Sequence, residues 1–263
     1  MRSRSPTRVG CRALLAVALV SAAACGRDVA PRAGPALRTA DAAASGTTAR
    51  DESLLTARRV ALVRSIEQGG VRDTTVLAAM RAVPRHEFVA AEYRALAYED
   101  HPLPIACGQT ISQPSLVAFM TEVLRPRRGM KVLEVGTGSG YQAAVLASIG
   151  CRVFTIEIFE ALAASAQARL RRLGYGAVTV RHGDGYRGWA EKGPFEAILV
   201  TAGARHVPPP LVEQLGRGGR LVIPVDGKHG DQDLLLIEKD EDGALRTRNL
   251  GAVRFVPLLR GVR

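Results

Sequence analysis

A glycine-rich turn between two acidic residues is the segment of this sequence best suited to hold a charged cofactor. Residues 135–140 read Val-Gly-Thr-Gly-Ser-Gly and lie between an apolar run and a helix-like segment. Glycines let the backbone approach a ligand, and the N–H groups at the start of a helix are free to donate hydrogen bonds to it. Such a turn fits NAD, a flavin or S-adenosylmethionine (SAM). The alternative is an ordinary strand-to-helix turn without a ligand.

The carboxylates around this turn narrow the choice of cofactor. Glu134 lies two residues before Gly136, and Glu157 lies 21 residues after it, at the end of the next predicted strand. A carboxylate at position 134 repels a pyrophosphate and favours a cation, and Glu157 is placed to accept hydrogen bonds from both ribose hydroxyls. SAM carries an ammonium and a sulfonium group, so the pattern favours SAM over NAD. Asp184 and Gly185 follow the third strand, where Asp184 is suited to bond an adenine amino group or to form a simple Asx turn.

Apolar and amphipathic segments predict the elements that position these residues. Short apolar strands separated by helices are typical of a parallel sheet with helices on both faces. Two final strands joined by an Asp-Gly turn predict an antiparallel hairpin at one edge. The predicted strands are Lys131–Val135, Arg152–Glu157, Val178–His182, Phe195–Val200, Gly219–Val225, Gln232–Lys239 and Arg246–Pro257, and the predicted helices are Leu54–Gln68, Asp73–Ala82, Ser115–Leu124, Gln142–Ser148, Phe159–Leu173 and Pro210–Leu215.

The first 50 residues carry signals of export rather than of a fold. Residues 1–25 combine four arginines, a short apolar core and a stretch of small residues ending at Cys25, the layout of a lipoprotein-type signal peptide. Residues 26–50 have almost no large apolar side chain, which predicts a flexible linker. We therefore expect an exported protein, either periplasmic or anchored to the membrane through a lipidated Cys25. The alternative is a cytoplasmic enzyme whose start codon is mis-assigned.

Composition and charge argue against several other classes of protein. The chain is 47% hydrophobic and 23% charged, close to the averages of globular proteins, which excludes a fibrous or wholly disordered chain. The formal net charge is +11, and the first 50 residues contribute +6 of it, from eight arginines and two acids. The remainder forms no basic stripe, so we expect no nucleic-acid partner. The five histidines lie far apart without the spacing of metal ligands, so we expect no metal site.

A second constellation lies upstream, where residues 108–114 read Gly-Gln-Thr-Ile-Ser-Gln-Pro. Periodicity alone predicts only a loop there. With Val-Pro-Arg-His-Glu-Phe-Val at 83–89, the segment at 98–105, the glycine-rich turn and later blocks at 193–201, 214–224 and 254–258, it resembles the protein-L-isoaspartate (D-aspartate) O-methyltransferase family. The resemblance covers roughly residues 54–260, and its motifs follow in the family's order.

That resemblance implies a class I SAM-dependent methyltransferase. The implied fold is an α/β, Rossmann-like, mostly parallel seven-stranded sheet with helices on both faces and an antiparallel edge hairpin. Residues 51–263 would form the catalytic domain, with a helical substrate and cofactor cap over about 51–125. The implied reaction transfers a methyl group from SAM to the carboxylate of L-isoaspartyl and D-aspartyl residues in damaged proteins, and we expect a monomer.

The resemblance also assigns roles to individual residues. Ser112 matches the active-site serine, which we expect to orient the substrate carboxylate as a hydrogen-bond donor. Phe255, Val256 and Pro257 match a strand that runs along the substrate peptide. The cofactor positions it assigns are Thr110, Ile111, Ser112, Glu134, Gly136, Thr137, Gly138, Glu157, Asp184 and Gly185.

Two other functions stay open at this point. One is a SAM-dependent methyltransferase with a small-molecule acceptor, against which the Thr-Ile-Ser segment argues. The other is an exported, non-catalytic binding lipoprotein of the same fold, against which the presence of Ser112 and Glu157 argues. The expected partners are isoaspartyl-containing proteins and peptides.

Overall fold

Helices form the first part of the described chain, and strands alternate with helices after them. The computed structural model describes residues 49–227 and 230–261. The predicted signal peptide and nearly all of the predicted linker lie outside these residues, and both stay predictions. The helices are α1 (Ala49–Gln68), α2 (Thr74–Ala82), α3 (Pro114–Val123), α4 (Tyr141–Ile149), α5 (Glu160–Arg172) and α6 (Pro209–Gln214). The strands are β1 (Leu103–Pro104), β2 (Thr110–Ile111), β3 (Lys131–Val135), β4 (Arg152–Glu157), β5 (Thr179–His182), β6 (Phe195–Val200), β7 (Leu215–Asp226), β8 (Gln232–Lys239) and β9 (Leu245–Val253).

Seven of these strands form one sheet in the order β5-β4-β3-β6-β7-β8-β9. Strands β3 to β7 pair in parallel, and β8 and β9 pair antiparallel to their neighbours. This confirms the predicted mostly parallel seven-stranded sheet with an antiparallel hairpin. The sequence left the order of the last two strands open. In the structure the hairpin extends the sheet beyond β7, so β9 is an edge strand.

The sheet separates two hydrophobic cores, one on each face. Side chains alternate along β3, so Val132 belongs to one core and Leu133 to the other. The core around Val132 includes apolar residues of α1 to α4, and the core around Leu133 includes Leu211 of α6. Because helices cover both faces of the sheet, the carboxyl ends of β3, β4 and β6 are accessible only from the end of the sheet where these strands terminate.

The amino-terminal helices hold the Gly-Gln-Thr-Ile-Ser-Gln-Pro loop beside these carboxyl ends. Helix α2 packs against α3 and α4. The loop pairs back on the chain before it, with Leu103 opposite Ile111, and then enters α3 at Pro114. Proline is tolerated in a first helical turn because the N–H it lacks would have no helical partner there. The short β1–β2 pairing on one side and α3 on the other therefore fix the backbone around Ser112.

Two strand boundaries differ from the sequence prediction by four residues, and three others, at the start of β5, the end of β7 and the start of β9, differ by one. Strand β7 begins at Leu215 rather than Gly219, because residues 216–219, which read Gly-Arg-Gly-Gly, carry no apolar pattern that would reveal a strand. Strand β9 ends at Val253 rather than Pro257. The Gln232 side chain accepts from the Phe255 N–H at 2.6 Å and donates to the Phe255 carbonyl at 3.2 Å. These bonds draw the chain out of the β8–β9 ladder, so the predicted substrate strand Phe255–Pro257 lies beyond β9.

Candidate active site

The carboxyl ends of β3, β4 and β6 open into a pocket of about 750 Å³, including its mouth. The glycine-rich turn after β3 and the residues after β4 form its floor, and residues 109–112 and 256–259 form two further walls. The predicted site residues that line it are Thr110, Ile111, Ser112, Glu134, Gly136, Thr137, Gly138, Glu157, Gly185, Val256 and Pro257. The fold thus joins two motifs that lie more than 20 residues apart in the chain.

Gly136 is required by the geometry of the turn. Its φ of 101° lies in the left-handed region, which residues with a Cβ rarely adopt. A Cβ at this position would lie 2.4 Å from the Thr201 Oγ1 atom. That hydroxyl donates to the Gly136 carbonyl at 2.7 Å, so the turn is tied to the end of β6. The close approach therefore fixes the backbone of the turn, whose residues line the pocket.

Glu157 joins the end of β4 to the glycine-rich turn. Its Oε2 accepts from the Gly138 N–H at 2.7 Å, and its Oε1 accepts from the N–H groups of Ile158 and Phe159 at 2.9 and 3.1 Å. The side chain is buried but lines the pocket. A carboxylate has about four lone-pair sites, so these three bonds leave capacity for a ligand hydroxyl. The geometry agrees with the predicted ribose contact, and the contact itself stays a prediction.

Glu134 lies deeper than its sequence position suggested. The residue is fully buried at the end of β3, and its Oε2 accepts from the Thr155 hydroxyl at 2.5 Å. The Thr155 hydroxyl also contacts the Thr137 hydroxyl at 2.7 Å. The other carboxyl oxygen, Oε1, has no hydrogen-bond partner among the described residues. Burial, reinforced by the charge of Glu157, raises the pKa of Glu134 from its ordinary 4.5 to about 8, so without a ligand the group is mainly protonated at neutral pH.

Ser112 lies on a loop that Asp100 holds in place. One Asp100 oxygen accepts from the Ser115 N–H at 2.8 Å, and the other accepts from the Gln113 side-chain amide at 3.1 Å. Ile111 is buried beneath the loop, whereas Ser112 is half-buried and lines the pocket. No described residue forms a hydrogen bond with the Ser112 hydroxyl. The hydroxyl can therefore donate to a carboxylate in the pocket.

The structure does not bring two of the predicted residues into the pocket. Asp184 lies beside it: Oδ1 accepts from the Tyr186 N–H at 2.9 Å, and Oδ2 accepts from the Gly261 N–H at 3.3 Å. An adenine amino group would have to share or displace the Gly261 contact. Phe255 does not line the pocket: Gln232 holds its backbone, and its side chain packs against the core around Val132. The assignment of Phe255 came from a family motif, and that of Asp184 came also from its position after the third predicted strand; neither carries information on these local bonds.

Several pocket residues were missed by the sequence reasoning. Thr201 follows β6 directly, and a polar residue at the end of a buried strand is a signal that the sequence did contain. Phe159 follows Glu157 by two residues and lines the same side. Leu258 and Leu259 come from the irregular carboxyl-terminal segment, where no periodicity predicts an orientation.

Neither a metal site nor a membrane span is visible in the part of the chain that the structure describes. Within residues 49–227 and 230–261, no group of three or more His, Cys, Asp or Glu side chains is arranged to hold a metal ion. No helix in the same ranges is both long and apolar enough to cross a membrane.

A parallel sheet extended by an antiparallel hairpin, with a carboxylate-flanked glycine turn at its switch point, defines a class I SAM-dependent methyltransferase. The family model described as protein-L-isoaspartate (D-aspartate) O-methyltransferase matches residues 57–263. The chain belongs to this family, as the sequence resemblance predicted.

Individual relatives and solved structures agree with that assignment. The chain is 52% identical over 229 residues to protein-L-isoaspartate O-methyltransferase 2 of Syntrophobacter fumaroxidans, covering 83% of this chain and 93% of the relative. It is 57% identical over 186 residues to the enzyme of the same name from Polaromonas, covering 71% and 88%. A solved protein-L-isoaspartate O-methyltransferase superposes with a TM-score of 0.70 at 33% identity, covering 76% of this chain and 65% of that one. A Plasmodium falciparum structure, described as a complex with S-adenosyl-L-homocysteine, gives 0.68 at 26% identity, covering 77% and 99%.

Proposed function

We propose that this protein transfers a methyl group from SAM to the free carboxylate of L-isoaspartyl and D-aspartyl residues in damaged proteins, as the first step of their repair. The observation that carries the proposal is that the Thr110–Ser112 loop and the carboxylate-lined glycine turn face one pocket. The first is suited to an acceptor carboxylate and the second to a cationic nucleoside. Membership of the family, with relatives of that name above 50% identity, supports the same reaction.

The residues of the pocket suit SAM as the cofactor. Glu157 offers carboxylate lone pairs beside the Gly138 N–H. The Glu134 Oε1 atom has no hydrogen-bond partner among the described residues and can ionise next to a cationic ligand. Phe159 and Ile156 give the pocket apolar surface for a planar base. When bound, SAM supplies an electrophilic methyl group on a positively charged sulfur.

The reaction needs little acid–base chemistry from the protein. An isoaspartyl α-carboxylate is already ionised at neutral pH. SAM, held by Glu157 and the glycine-rich turn, would supply the methyl group to this carboxylate and would leave as neutral S-adenosylhomocysteine. Ser112 donates a hydrogen bond that orients the carboxylate, without losing its proton. Because the opposite charges of carboxylate and sulfonium are neutralised in this step, a pocket that excludes water favours it.

Two further features belong to the same proposal. The protein is exported and attached to the membrane through a lipidated Cys25, as residues 1–25 suggest. A cytoplasmic location follows instead if the start codon is mis-assigned. Cell fractionation, with Cys25→Ser as the matched variant, separates these locations, because only a lipidated protein loses its membrane attachment in the variant. The protein acts as a monomer, which sedimentation equilibrium tests.

The activity is tested by methyl transfer from labelled SAM to two peptides that differ only in carrying isoaspartate or aspartate. We expect label in the isoaspartyl peptide alone. Transfer to neither peptide, with SAM binding intact by calorimetry, would contradict the proposed acceptor while leaving the cofactor assignment standing. Loss of SAM binding would instead contradict the assignment of the pocket.

A further inference from the structure

A second cavity shares a wall with the candidate active site. It measures about 1190 Å³, including its open mouth, and Pro257, Leu258 and Leu259 line both cavities. The remaining walls come from the turn after β6, the end of β7, the start of β8 and the chain beyond β5. Among them are Tyr186, Arg205, His206, Asp226 and Arg260. A chain bound at the active site therefore has a second recess directly beside it.

The charge of this second cavity is predominantly positive. Two exposed guanidinium groups line it, those of Arg205 and Arg260, against the single carboxylate of Asp226. Neither arginine forms an ion pair with any residue that the structure describes. Both guanidinium groups are therefore available to an anionic partner from outside the chain.

One of these arginines is held in place by its neighbours. The Arg260 guanidinium lies 4.1 Å from the centroid of the Tyr186 ring, within the range of a cation–π contact. The Tyr186 hydroxyl lies 2.5 Å from the His206 Nε2 atom, which fixes the orientation of the ring. The carboxyl-terminal segment is also bonded at both ends of this wall, at Gly203 and at Asp184. A positioned guanidinium loses less conformational entropy on binding than a free one.

We propose that this cavity is a substrate subsite that accepts an acidic side chain next to the isoaspartyl residue. The inference rests on the proposed function, because it requires a substrate chain with its isoaspartyl carboxylate beside Ser112 to extend over the wall that Pro257 and Leu258 share between the two cavities. Guanidinium groups recognise carboxylates through paired N–H···O bonds, which Arg205 and Arg260 can offer. The protein then selects, among isoaspartyl sites, those flanked by Asp or Glu.

The expected preference is moderate, because both arginines are exposed to water. A single exposed pair of opposite charges contributes little to binding. A Glu peptide forms two such pairs, whereas a Lys peptide meets two like charges. The combined effect corresponds to about a five- to thirtyfold difference in affinity between the two peptides. The Debye length falls to about 3 Å at molar salt, and exposed charges farther apart than this are largely screened, so the preference falls as salt is raised.

The test measures peptide binding rather than turnover. Isoaspartyl peptides with Glu, Gln or Lys immediately before or after the isoaspartyl residue are titrated by fluorescence anisotropy against the full protein with S-adenosylhomocysteine present. We expect the Glu peptide of one series to bind about five- to thirtyfold more tightly than its Lys counterpart. Arg205→Glu should remove or reverse this order. Arg152→Glu, an exposed charge reversal at the amino end of β4, should leave it unchanged.

Two results would overturn the subsite. One is equal affinity for Glu, Gln and Lys peptides in both series. The other is a Glu preference that Arg205→Glu and Arg152→Glu weaken equally, since that would reflect overall charge. Failure of the proposed function is recognised separately, by the absence of methyl transfer to the isoaspartyl peptide. A charge preference in binding can be measured in either case.

Discussion

Replacing Glu134 with glutamine should stabilise the ligand-free protein while weakening its cofactor site. The folded protein keeps Glu134 protonated up to a pKa of about 8, whereas the unfolded chain ionises it near 4.5. Between these values unfolding releases a proton, so this residue makes the native state less stable as the pH rises. Glutamine has the same shape and cannot ionise in either state, so the variant lacks this pH-dependent loss.

The expected size follows from the two pKa values of Glu134. Each pH unit within the window changes the free energy of unfolding by about 1.4 kcal/mol. Between about pH 5.5 and about pH 7.5, the stability of Glu134→Gln relative to the wild type should therefore grow by roughly 2 to 3 kcal/mol. The affinity of Glu134→Gln for SAM should fall, because the variant removes the carboxylate proposed to ionise beside the cationic ligand.

Urea unfolding of both proteins at the two pH values, followed by circular dichroism, measures this difference. Glu213→Gln is the matched control. Because Glu213 is exposed on α6, this variant should leave the free energy of unfolding unchanged at both pH values. Equal denaturant slopes for all three proteins are required for the comparison. A stability difference between Glu134→Gln and the wild type that is the same at both pH values would refute the reasoning, since Glu134 would then be ionised throughout.

Three further changes test separate parts of the structure. Ser112→Ala should lower kcat for an isoaspartyl peptide about tenfold or more while leaving the calorimetric Kd for SAM within about twofold; equal losses in both would contradict the orienting role. Gly136→Ala should abolish measurable SAM binding and destabilise the fold by roughly 2 kcal/mol or more, because the new Cβ meets the Thr201 hydroxyl in a left-handed backbone. Calorimetry measures the SAM binding, and thermal unfolding measures the stability. Near-normal values of both would show that the turn relaxes. Asp73→Ala should lower the free energy of unfolding in urea by about 1 kcal/mol, because Asp73 accepts from the Thr75 and Val76 N–H groups at the start of α2. Asp73→Asn should retain most of this stability, since its side-chain oxygen can still cap the helix. An equal loss in both variants would argue against the cap.

The central strands could be predicted closely from sequence. Strands β3, β4, β6 and β8 have the predicted bounds, because a strand buried on both faces is a short apolar run with distinct ends. The end of β9 was missed because the Gln232 side chain, more than 20 residues away in the chain, captures the backbone of Phe255. Such long-range bonds leave no local pattern.

The sequence predicted which residues form the candidate site better than it predicted their protonation and hydrogen bonds. The glycine turn and Glu157 could be placed because strand ends and turn residues mark them. The sequence suggested that Glu134 is a charged group, but the surrounding sheet buries it and keeps it protonated in the absence of a ligand. Likewise, nothing near Asp184 in the chain indicates that Gly261 donates to it.

The contact between Asp184 and Gly261 affects the chemical lifetime of the protein itself. Asp-Gly dipeptides rearrange to isoaspartate when the side-chain carboxyl group reaches the following backbone nitrogen, and Asp184-Gly185 is such a dipeptide beside the cofactor pocket. Gly185 cannot be exchanged for a safer residue, because a Cβ there would lie 2.4 Å from a methyl carbon of Val135. In the folded protein the Asp184 carboxylate instead accepts hydrogen bonds from the Tyr186 and Gly261 N–H groups, which restrict its movement toward that nitrogen. We therefore expect isoaspartate to form at Asp184 more slowly in the folded protein than in the unfolded chain, which peptide mapping of aged samples would measure.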